Sequence, residues 1–403
     1  MNNHNKEEKL CVYLFDGACV APLYDIYLYR SLKNYVDITL ISKSYSHNPK
    51  QHSQFGVKNK AGILDFTYRF NFLGRKILYA LNGIEYIINL LYWTVKFIFK
   101  PPEIVHIQWF KLVRSVPFEI WFSKILLRRK IKLVYTVHNV LPMTGKKHPD
   151  VYRKIYSMMN LLICHTKDVK NTLVENFGIS SEKIHIIPHG PFFHDFPRKP
   201  PHIAKKIIGI KDKVIVLFFG GMRPYKGVEF LLETWKKVLA STDDAVLILA
   251  GSGNSDYIKK IKKSISKLEL DDEIIQKFQF IDNEELPIYH QAADILVYPY
   301  SEIYQSGAFM TGITFGKAII ATRIGVFPEI IEDGENGFLV DYGDTDDFQK
   351  KLLYLIKNPD TRKRFGKNIY EKYKSELNWD TIAQKTVECY KNIIENCNEK
   401  RQK

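Results

Sequence analysis

Residues 298–329 read YPYSEIYQSGAFMTGITFGKAIIATRIGVFPE, and the order of apolar and polar residues in this stretch decides the fold class. The apolar run at 294–298 that leads into it is typical of a buried parallel strand, and a second such run follows at 318–321. Between the two runs lie a polar loop and a small-residue segment that predicts a helix. The order of strand, loop, helix and strand indicates a parallel α/β sheet.

The loop in this stretch carries a candidate anion site. In open α/β sheets, ligands bind beyond the carboxyl ends of the strands. A helix that begins at Ser306 and Gly307 would point free backbone N–H groups and its positive dipole end toward that place, which suits a phosphate. Glu302 is close to them in sequence and suits a hydroxyl-bearing group. The alternative is an ordinary βαβ crossover whose loop is merely polar.

Length and charge narrow the class of protein. The 403 residues are enough for two domains of about 200 residues each. The 59 Lys and Arg residues against 44 Asp and Glu give a net charge of +15, which suits nucleic acid, an anionic membrane or phosphorylated substrates. The sequence has no zinc-finger spacing, arginine-rich arm or RNP-like strand, so nucleic acid is not an expected partner.

Cysteine usage and the N-terminal residues favour a cytoplasmic protein. The five cysteines form neither CxxC pairs nor a disulfide framework, which is typical of a reducing compartment. The polar N-terminus is followed by an apolar run that is too short for a signal peptide.

Apolar runs divide the chain into two α/β halves, joined by the proline- and lysine-rich segment FPRKPPHIAKKI from Phe196. The first half predicts strands at 10–15, 36–41, 104–108, 133–137, 161–164 and 184–187. The second half predicts strands at 214–219, 245–250, 294–298, 318–321 and 337–340, and a further strand that ends at 279–281. We therefore predict a first domain at 1–198, a linker at 199–212, a second domain at 213–378 and a closing helix at 379–403.

A glycine-bounded loop, GGMRPYKG at 220–227, follows the first strand of the second half. Glycines allow close backbone approach, and Arg223 and Lys226 supply cations for a diphosphate. The loop lacks the GxxxxGK[ST] pattern of a Walker site.

Residues 344–346 spell DxD, a pattern that can bind a metal, but they follow the last strand and begin a helix. We interpret them as a helix cap.

The long apolar stretch 77–99 has to be considered as a transmembrane helix. Polar residues at helical spacing form one stripe along it: Asn82, Glu85, Asn89, Tyr92 and Lys96. Because a charged Glu85 would be unfavourable in lipid, we expect a helix packed on the sheet, with one face wet or lying in a membrane interface. The basic cluster at 128–132, near Trp121 and Phe122, would either meet an anionic membrane or be a solvated helix end.

Ordered motifs along most of the chain resemble those of a known family. In the second half they are FFGGMRPYKGVEFLLETW, LILAGSG, FIDNEELPIYHQAADILVYPYSEIYQSG, FGKAIIATRIGVFPEIIEDGENGFLV and NWDTIA, and the weaker ones in the first half are VHIQW, TVHNVLP and IIPHGPF. Together they resemble GT-B glycosyltransferases, and glycosyltransferase family 4 in particular. The resemblance implies an α/β protein of GT-B architecture: two doubly wound Rossmann-like domains face each other across a cleft, and a final helix from Trp379 returns to the first domain.

The resemblance also implies a donor site. Arg223 and Lys226 would hold the donor diphosphate, and Ser306 and Gly307 would add backbone N–H groups to the same phosphates. The other implied donor-site positions are Gly17 in the first domain, Gly221, Ile281 near the nucleobase, Gln305 and Thr311.

Two residues are implied as catalytic. Glu302 would touch hydroxyls of the donor sugar, and His138 would face the sugar and phosphate from the first domain. The chain departs from the family pattern at two places: Thr311 stands where a second glutamate is usual, and Gly221 stands where the loop arginine is usual. The expected donor is a UDP- or GDP-sugar.

The expected function is sugar transfer from a nucleotide-diphosphate sugar to a glycan or lipid-linked acceptor, in polysaccharide or glycolipid biosynthesis. By resemblance, the reaction retains anomeric configuration and uses no metal or other cofactor, because the loop cations would stabilise the leaving diphosphate. The inner face of the cell membrane is a candidate location.

Three alternative functions remain: a catalytically degenerate nucleotide-sugar-binding protein, a GT-B nucleotide-sugar epimerase and a dinucleotide-dependent oxidoreductase. The lack of GxGxxG in 10–42 disfavours the oxidoreductase.

Overall fold

The computed structural model describes residues 9–70, 72–112, 117–142 and 148–402. The chain forms two compact units. One comprises Met1–Gly190 together with Trp379–Lys403, and the other comprises Pro191–Asn378.

The first unit contains a parallel sheet of six strands in the order β2-β1-β3-β4-β5-β6. Its strands are β1 Cys11–Asp16, β2 Asp37–Ser42, β3 Ile104–Ile107, β4 Lys132–Val137, β5 Leu161–Cys164 and β6 Ile184–Ile186. The helices are α1 Pro22–Leu32, α2 Gln51–Gln54, α3 Arg75–Phe99, α4 Phe118–Arg128, α5 Pro149–Met158 and α6 Lys167–Glu175. The strand order reverses between β1 and β3, which makes that position the topological switch point of the sheet.

The second unit repeats this plan with the strand order β12-β11-β10-β7-β8-β9, again parallel throughout. Its strands are β7 Val214–Phe219, β8 Ala245–Ala250, β9 Ile274–Lys277, β10 Ile295–Tyr298, β11 Ala318–Thr322 and β12 Phe338–Val340. The helices are α7 Pro201–Ile207, α8 Val228–Leu239, α9 Ser255–Lys267, α10 Leu286–Ala292, α11 Gly307–Ile313, α12 Phe327–Ile330, α13 Thr345–Lys357 and α14 Pro359–Glu376. Here the order reverses between β7 and β10. The structure confirms the prediction of two doubly wound α/β units.

The closing helix, α15 Trp379–Gln402, belongs to the first unit. The buried Trp379 ring stacks on Tyr27 of α1, with ring centres 5.8 Å apart and planes 13° apart. A Cβ atom at Gly190 would overlap the Trp379 ring, so the glycine permits this contact.

Two sequence predictions differ from the structure. The predicted linker 199–212 contains α7, which is packed rather than free, since Lys205 pairs with Asp294 at 2.6 Å. The predicted strand end at 279–281 is wrong: β9 ends at Lys277, and Gln279 N donates to Lys277 O in a turn. The cap interpretation of the DxD sequence is confirmed, because Asp344 Oδ1 accepts from Asp347 N at the start of α13.

The middle of the polar stripe of α3 is buried, contrary to the expectation of a wet face, while Asn82, Tyr92 and Lys96 are half-buried. Glu85 is fully buried, and its Oε1 accepts from Phe66 N at 2.7 Å and Thr67 N at 3.1 Å. Asn89 is 4% exposed, and its Oδ1 accepts from Ile63 N and Leu64 N, both at 2.9 Å. These two residues therefore bind the segment 61–67 rather than solvent.

The exposed face of α3 is instead apolar. Its large exposed side chains at helical spacing are Ile77, Ile84, Leu91, Val95 and Phe99, which are 40–84% exposed. Across the described ranges, every helix is too short or too polar to cross a bilayer.

We expect Glu85→Ala to destabilise the first unit by about 3–5 kcal/mol, because it leaves the Lys43 ammonium, now 3.1 Å from Glu85 Oε2, buried without a counterion. Urea denaturation measures the loss. The matched control is Glu175→Ala on the exposed end of α6, with an expected effect of at most about 0.5 kcal/mol. The double variant Lys43→Met with Glu85→Gln should lose less stability than Glu85→Ala, and an equal or larger loss would contradict the ion-pair account.

Candidate active site

The glycine-bounded loop of the second unit begins where β7 ends, at the switch point of its sheet. Gly220 N donates to Ala250 O at 2.9 Å, and Met222 N donates to Ser252 O at 2.7 Å. A Cβ atom at Gly251 would overlap Gly220 O. The loops after β7 and β8 are therefore in direct backbone contact, which only glycine permits here.

The same loop is fixed to the segment after β10. Ser301 N donates to Tyr225 O at 2.8 Å. Gly227 has a φ of +65°, and a Cβ atom there would overlap Pro299 O. Glycine at this position lets the turn that carries Lys226 lie against the β10 loop.

Lys226 is a buried cation without a hydrogen-bond acceptor in the part of the chain that the structure describes. Its side chain is 8% exposed, and within the described residues its Nζ makes no hydrogen bond. The ammonium lies 5.0 Å from the centre of the Tyr300 ring. Burial lowers the pKa of Lys226 to about 8; Tyr225 opposes that shift and the positive charge of Arg223 adds to it. A desolvated ammonium of this kind is a ready partner for a ligand anion.

The start of α11 converges on this ammonium. Ser306 caps the helix by accepting from Phe309 N at 3.2 Å, while Ser306 N donates to Gln305 Oε1 at 2.8 Å. The first-turn N–H groups of Gly307 and Ala308 have no intrahelical acceptor. A Cβ atom at Gly220 would lie 2.9 Å from Lys226 Nζ and 3.3 Å from Ala308 Cβ. The backbone of Gly220, the Lys226 ammonium and the first turn of α11 therefore line the same small site.

The other donor-site candidates of this unit have different environments. Arg223 is exposed, and its Nε would lie 3.7 Å from a Cβ atom at Gly221. Glu302 is exposed. Ile281 is 6% exposed, in the loop between β9 and α10. Thr311 is 3% exposed and its hydroxyl donates to Gly307 O at 2.8 Å, so it is already engaged within α11.

Two aromatic residues lie beside Lys226 and the start of α11, and the sequence analysis did not predict them as site residues. Tyr300 lies under the Lys226 ammonium, and a Cβ atom at Gly307 would lie 2.9 Å from the Phe192 ring. Both residues lie in quoted motifs, Phe192 in IIPHGPF and Tyr300 in YPYSEIYQSG, but only the fold shows that Tyr300 meets Lys226.

His138 of the first unit lies in a histidine cluster at the carboxyl ends of successive strands. His106 is in β3, and His138, His165 and His189 follow β4, β5 and β6; all are at most 8% exposed. The His138 ring stacks on Trp109 at 5.1 Å with planes 6° apart. Burial, followed by the charges of the other three histidines, holds the pKa of His138 well below its usual range, so the ring is neutral near pH 7.

Both ring nitrogens of His138 face groups of the first unit. Nε2 lies 2.9 Å from Gln108 Oε1, and Nδ1 lies 3.3 Å from His165 Nε2. Because an amide oxygen only accepts, Nε2 carries the single proton of the neutral His138 ring and donates it to Gln108 Oε1. His165 Nδ1 donates to the Ile187 carbonyl at 2.9 Å, so the 3.3 Å approach between His138 Nδ1 and His165 Nε2 has no proton in it. The predicted contact of His138 with the donor sugar stays a prediction, and a buried, neutral ring suits positioning better than proton transfer.

Gly17 lies in the turn after β1. A Cβ atom there would lie 3.1 Å from Phe15 Cζ and 3.2 Å from Tyr86 Cε2, so its glycine is explained by tight packing within the first unit.

Two doubly wound α/β units, with anion-binding features at the switch point of the second, define the class of GT-B proteins. Two family models match the sequence: Glycosyltransferase Family 4 over residues 26–190 and Glycosyl transferases group 1 over residues 202–372. Each unit of the chain thus matches one of the two domain models of glycosyltransferases, and the chain resembles family 4 in particular.

Similar proteins agree with this assignment. The D-inositol 3-phosphate glycosyltransferase of Kribbella flavida is 24% identical, over 58% of this chain and 57% of its own length. The match to this chain spans only 50–59% of the length of this relative and of two other curated relatives. A glycosyltransferase structure from Rickettsia africae matches with a TM-score of 0.74 at 19% identity, covering 97% of this chain and 100% of that one. Anabaena HepE in complex with UDP matches with a TM-score of 0.74 at 15% identity, covering 95% and 100%. At these identities the structures show the fold.

We expect Gly227→Ala to destabilise the second unit far more than Gly209→Ala. Both glycines have positive φ, +65° and +78°, so both variants incur the left-handed strain of about 1–2 kcal/mol. Only Gly227→Ala adds an overlap with Pro299 O, for a further loss of about 1–3 kcal/mol, because open space surrounds Gly209. Denaturant unfolding measures both, and equal losses would contradict the backbone contact.

Proposed function

We propose that the protein transfers a sugar from a nucleoside-diphosphate sugar to an acceptor, with the donor diphosphate at Lys226. The observation that carries this proposal is the buried Lys226 ammonium, which has no acceptor in the described chain and faces the start of α11. A charge placed there without a partner is unfavourable by itself, and a diphosphate would supply the missing anion.

The proposed chemistry follows from where charge develops. When the sugar leaves, negative charge grows on the nucleoside diphosphate. Lys226, Arg223 and the N–H groups at Ser306 and Gly307 would stabilise that charge and so lower the barrier. Exposed Glu302 would hold hydroxyls of the donor sugar, and the Ile281 backbone would lie near the base. Retention of configuration is proposed from the family resemblance alone.

We also propose that the loop cations make a metal unnecessary. Asp344 and Asp346, the two acids of the DxD sequence, are used elsewhere: Asp344 caps α13, and Asp346 pairs with Lys237 at 2.5 Å. Activity that survives EDTA would agree with this, and activity that requires added divalent cation would contradict it.

UDP is the first donor nucleotide to test. Anabaena HepE has been solved with UDP and with UDP-glucose. Those ligands belong to that protein, whose likeness to this chain shows the fold. GDP is the second, because the family resemblance leaves a UDP- or a GDP-sugar as the donor.

Lys226→Met should separate function from folding. The methionine keeps the apolar stem against Tyr300 and removes the charge-assisted contact, so nucleoside diphosphate binding should fall about 10- to 100-fold. Removing an uncompensated buried charge should leave the melting temperature equal or higher. Calorimetric titration with UDP and GDP, beside thermal unfolding, measures both quantities.

The control for this variant is Lys236→Met on the partly exposed face of α8, which should change neither quantity. Wild-type affinity retained by Lys226→Met would overturn the assignment of the diphosphate site. Donor hydrolysis or transfer then distinguishes an enzyme from a degenerate binding protein, the alternative that the engaged Thr311 hydroxyl favours: nucleotide binding without any turnover of UDP- or GDP-sugars would select the binding protein.

We further propose a lipid-linked acceptor and an anionic membrane surface as the partner of α3. Its exposed apolar face ends at Phe99, which is 84% exposed. In consecutive βαβ units both helices run antiparallel to the strands. The C-terminal ends of α3 and α4 therefore lie at the same edge of the sheet, the one at which the strands begin. The exposed cations Lys100, Arg128, Arg129 and Lys130 lie at that edge. Apolar side chains bordered by cations fit an anionic bilayer.

Vesicle sedimentation tests this surface. Arg128→Gln, Arg129→Gln and Lys130→Gln together should weaken binding to anionic vesicles at least about tenfold, and added salt should reduce the difference. Ile84→Gln with Leu91→Gln should also weaken binding, but independently of salt. Matched controls are the α9 triple Lys259→Gln, Lys262→Gln and Lys263→Gln, and the pair Ile203→Gln and Ile207→Gln. If the controls weaken binding equally, the α3 and α4 surface has no special role.

A further inference from the structure

A cavity of about 320 Å³ lies in the first unit at the switch point of its own sheet. Its wall includes Cys19, which follows β1, and Lys111, which follows β3. These are the two strands between which the strand order reverses. Ligands of doubly wound sheets bind at such a position. The cavity is large enough for a sugar-sized group.

One of the two lysines in the wall is fully compensated. Lys43 is 7% exposed, and its Nζ donates to Thr67 Oγ1 at 2.9 Å, to Glu85 Oε2 at 3.1 Å and to Asn82 Oδ1. Three acceptors satisfy its three donors, and Glu85 neutralises its charge. Lys43 is therefore part of the framework of the cavity.

The other lysine has no ion pair within the described residues. Lys111 Nζ has a single hydrogen bond there, to Asn82 O at 3.4 Å, which is longer than the usual range of about 2.7–3.2 Å. Of the carboxylates near it, Glu85 binds Lys43, and Glu119 Oε1 accepts from Tyr86 OH and Leu112 N, both at 2.8 Å. Glu119 Oε2 and Asp16 Oδ1 have no hydrogen-bond partner in the described residues, so these carboxylates act on the ammonium only through their charge. Burial, followed by the Lys43 charge, lowers the pKa of Lys111 to about 8.

We propose that this cavity binds a phosphate ester carried by the acceptor, with the Lys111 ammonium facing the phosphate. This assignment rests on the proposed transferase function and adds the chemical class of the acceptor. Ammonium groups recognise phosphate as point charges. Tyr79, which is 62% exposed, and Leu78 form an apolar wall at the start of α3. A phosphate at Lys111 thus lies beside an apolar surface, as the phosphate of a lipid-linked acceptor requires.

Calorimetric titration with two probes tests the site and its source of phosphate. Glucose 6-phosphate presents a soluble phosphate ester, and farnesyl phosphate presents the same group on a lipid chain. Wild type should bind at least one of them, and glucose should bind more weakly than glucose 6-phosphate. Tighter binding of farnesyl phosphate would assign a lipid-linked acceptor, and tighter binding of glucose 6-phosphate a soluble one. Absence of binding by both phosphates would overturn the proposal.

Variants identify the residue responsible. Lys111→Met should weaken phosphate binding at least about tenfold, and Lys111→Arg should retain it. The matched control is Lys124→Met on the exposed side of α4, which should bind as wild type. Wild-type affinity in Lys111→Met would overturn the site. UDP titration of the same samples tests folding and the donor site separately: Lys111→Met should bind UDP normally, and loss of UDP binding by wild type would count against the transferase proposal alone.

A pH series adds a readout that packing cannot imitate. The groups that face Lys111 are Lys43, Glu85, Glu119 and Asp16. A phosphate ester is a dianion above its second pKa of about 6, so a fall in wild-type affinity between about pH 7.5 and about pH 9.5 reports loss of the ammonium proton. Lys111→Arg keeps Glu119 and the other neighbours but stays charged, so its affinity should change less over this range. Equal slopes would contradict the role of Lys111.

Discussion

The reversal of strand order within each sheet is the constraint on which both candidate sites depend. On either side of the reversal, consecutive crossovers leave in opposite directions, so the loops there are not covered by a shared helix layer. In the second unit this happens between β7 and β10, and in the first between β1 and β3. The glycine loop with Lys226 and the start of α11 occupy the first of these positions, and the Lys111 cavity occupies the second. Neither site requires an unusual fold, since each uses the opening that the strand order leaves.

Buried lysines show how a structural cation differs from a candidate ligand partner. Lys43 has Glu85 as counterion and two further acceptors, and Lys317 donates to Gln291 O at 2.8 Å. Lys226 and Lys111 lack comparable acceptors in the described residues. Lys317, Lys226 and Lys111 all have a pKa lowered to about 8, in each case chiefly by burial. A lowered pKa therefore does not separate the two kinds. The hydrogen bonds of the ammonium do: Lys317 has one of ordinary length, whereas within the described residues Lys111 has one long one, at 3.4 Å, and Lys226 has none.

Much of the fold could be predicted because strands buried on both faces are continuous apolar runs. The end of β9 was placed too far along the chain because the strand itself ends in the polar pair Gln276 and Lys277, while the apolar Phe280 and Ile281 follow it. α7 was interpreted as a linker because of its prolines, although Pro201 at its first position is a normal helix start. Arg223 and Lys226 could be predicted as candidate diphosphate-binding residues from the motif of the loop that carries them. The contacts of His138 with Gln108 and His165 could not be predicted, because these residues are about 30 positions away in sequence. The Thr311 hydroxyl bonds the carbonyl four residues earlier, which is common for a threonine inside a helix and was a usable local signal.

The inverted polarity of α3 has the same origin, and it links the fold to the proposed acceptor. A polar stripe on a helix is normally assigned to solvent. Here Glu85 and Asn89 instead bind backbone N–H groups of the irregular segment 61–67, which has no ladder of its own to satisfy them. With Glu85 and Asn89 covered, the large side chains on the exposed face of α3 are apolar, and this is the face that the proposed membrane partner would meet. The covered stripe also holds Lys43 and Asn82 in the wall of the cavity. One helix thus builds a polar pocket on one side and an apolar surface on the other, the combination of environments that an acceptor with a phosphate and a lipid chain would need.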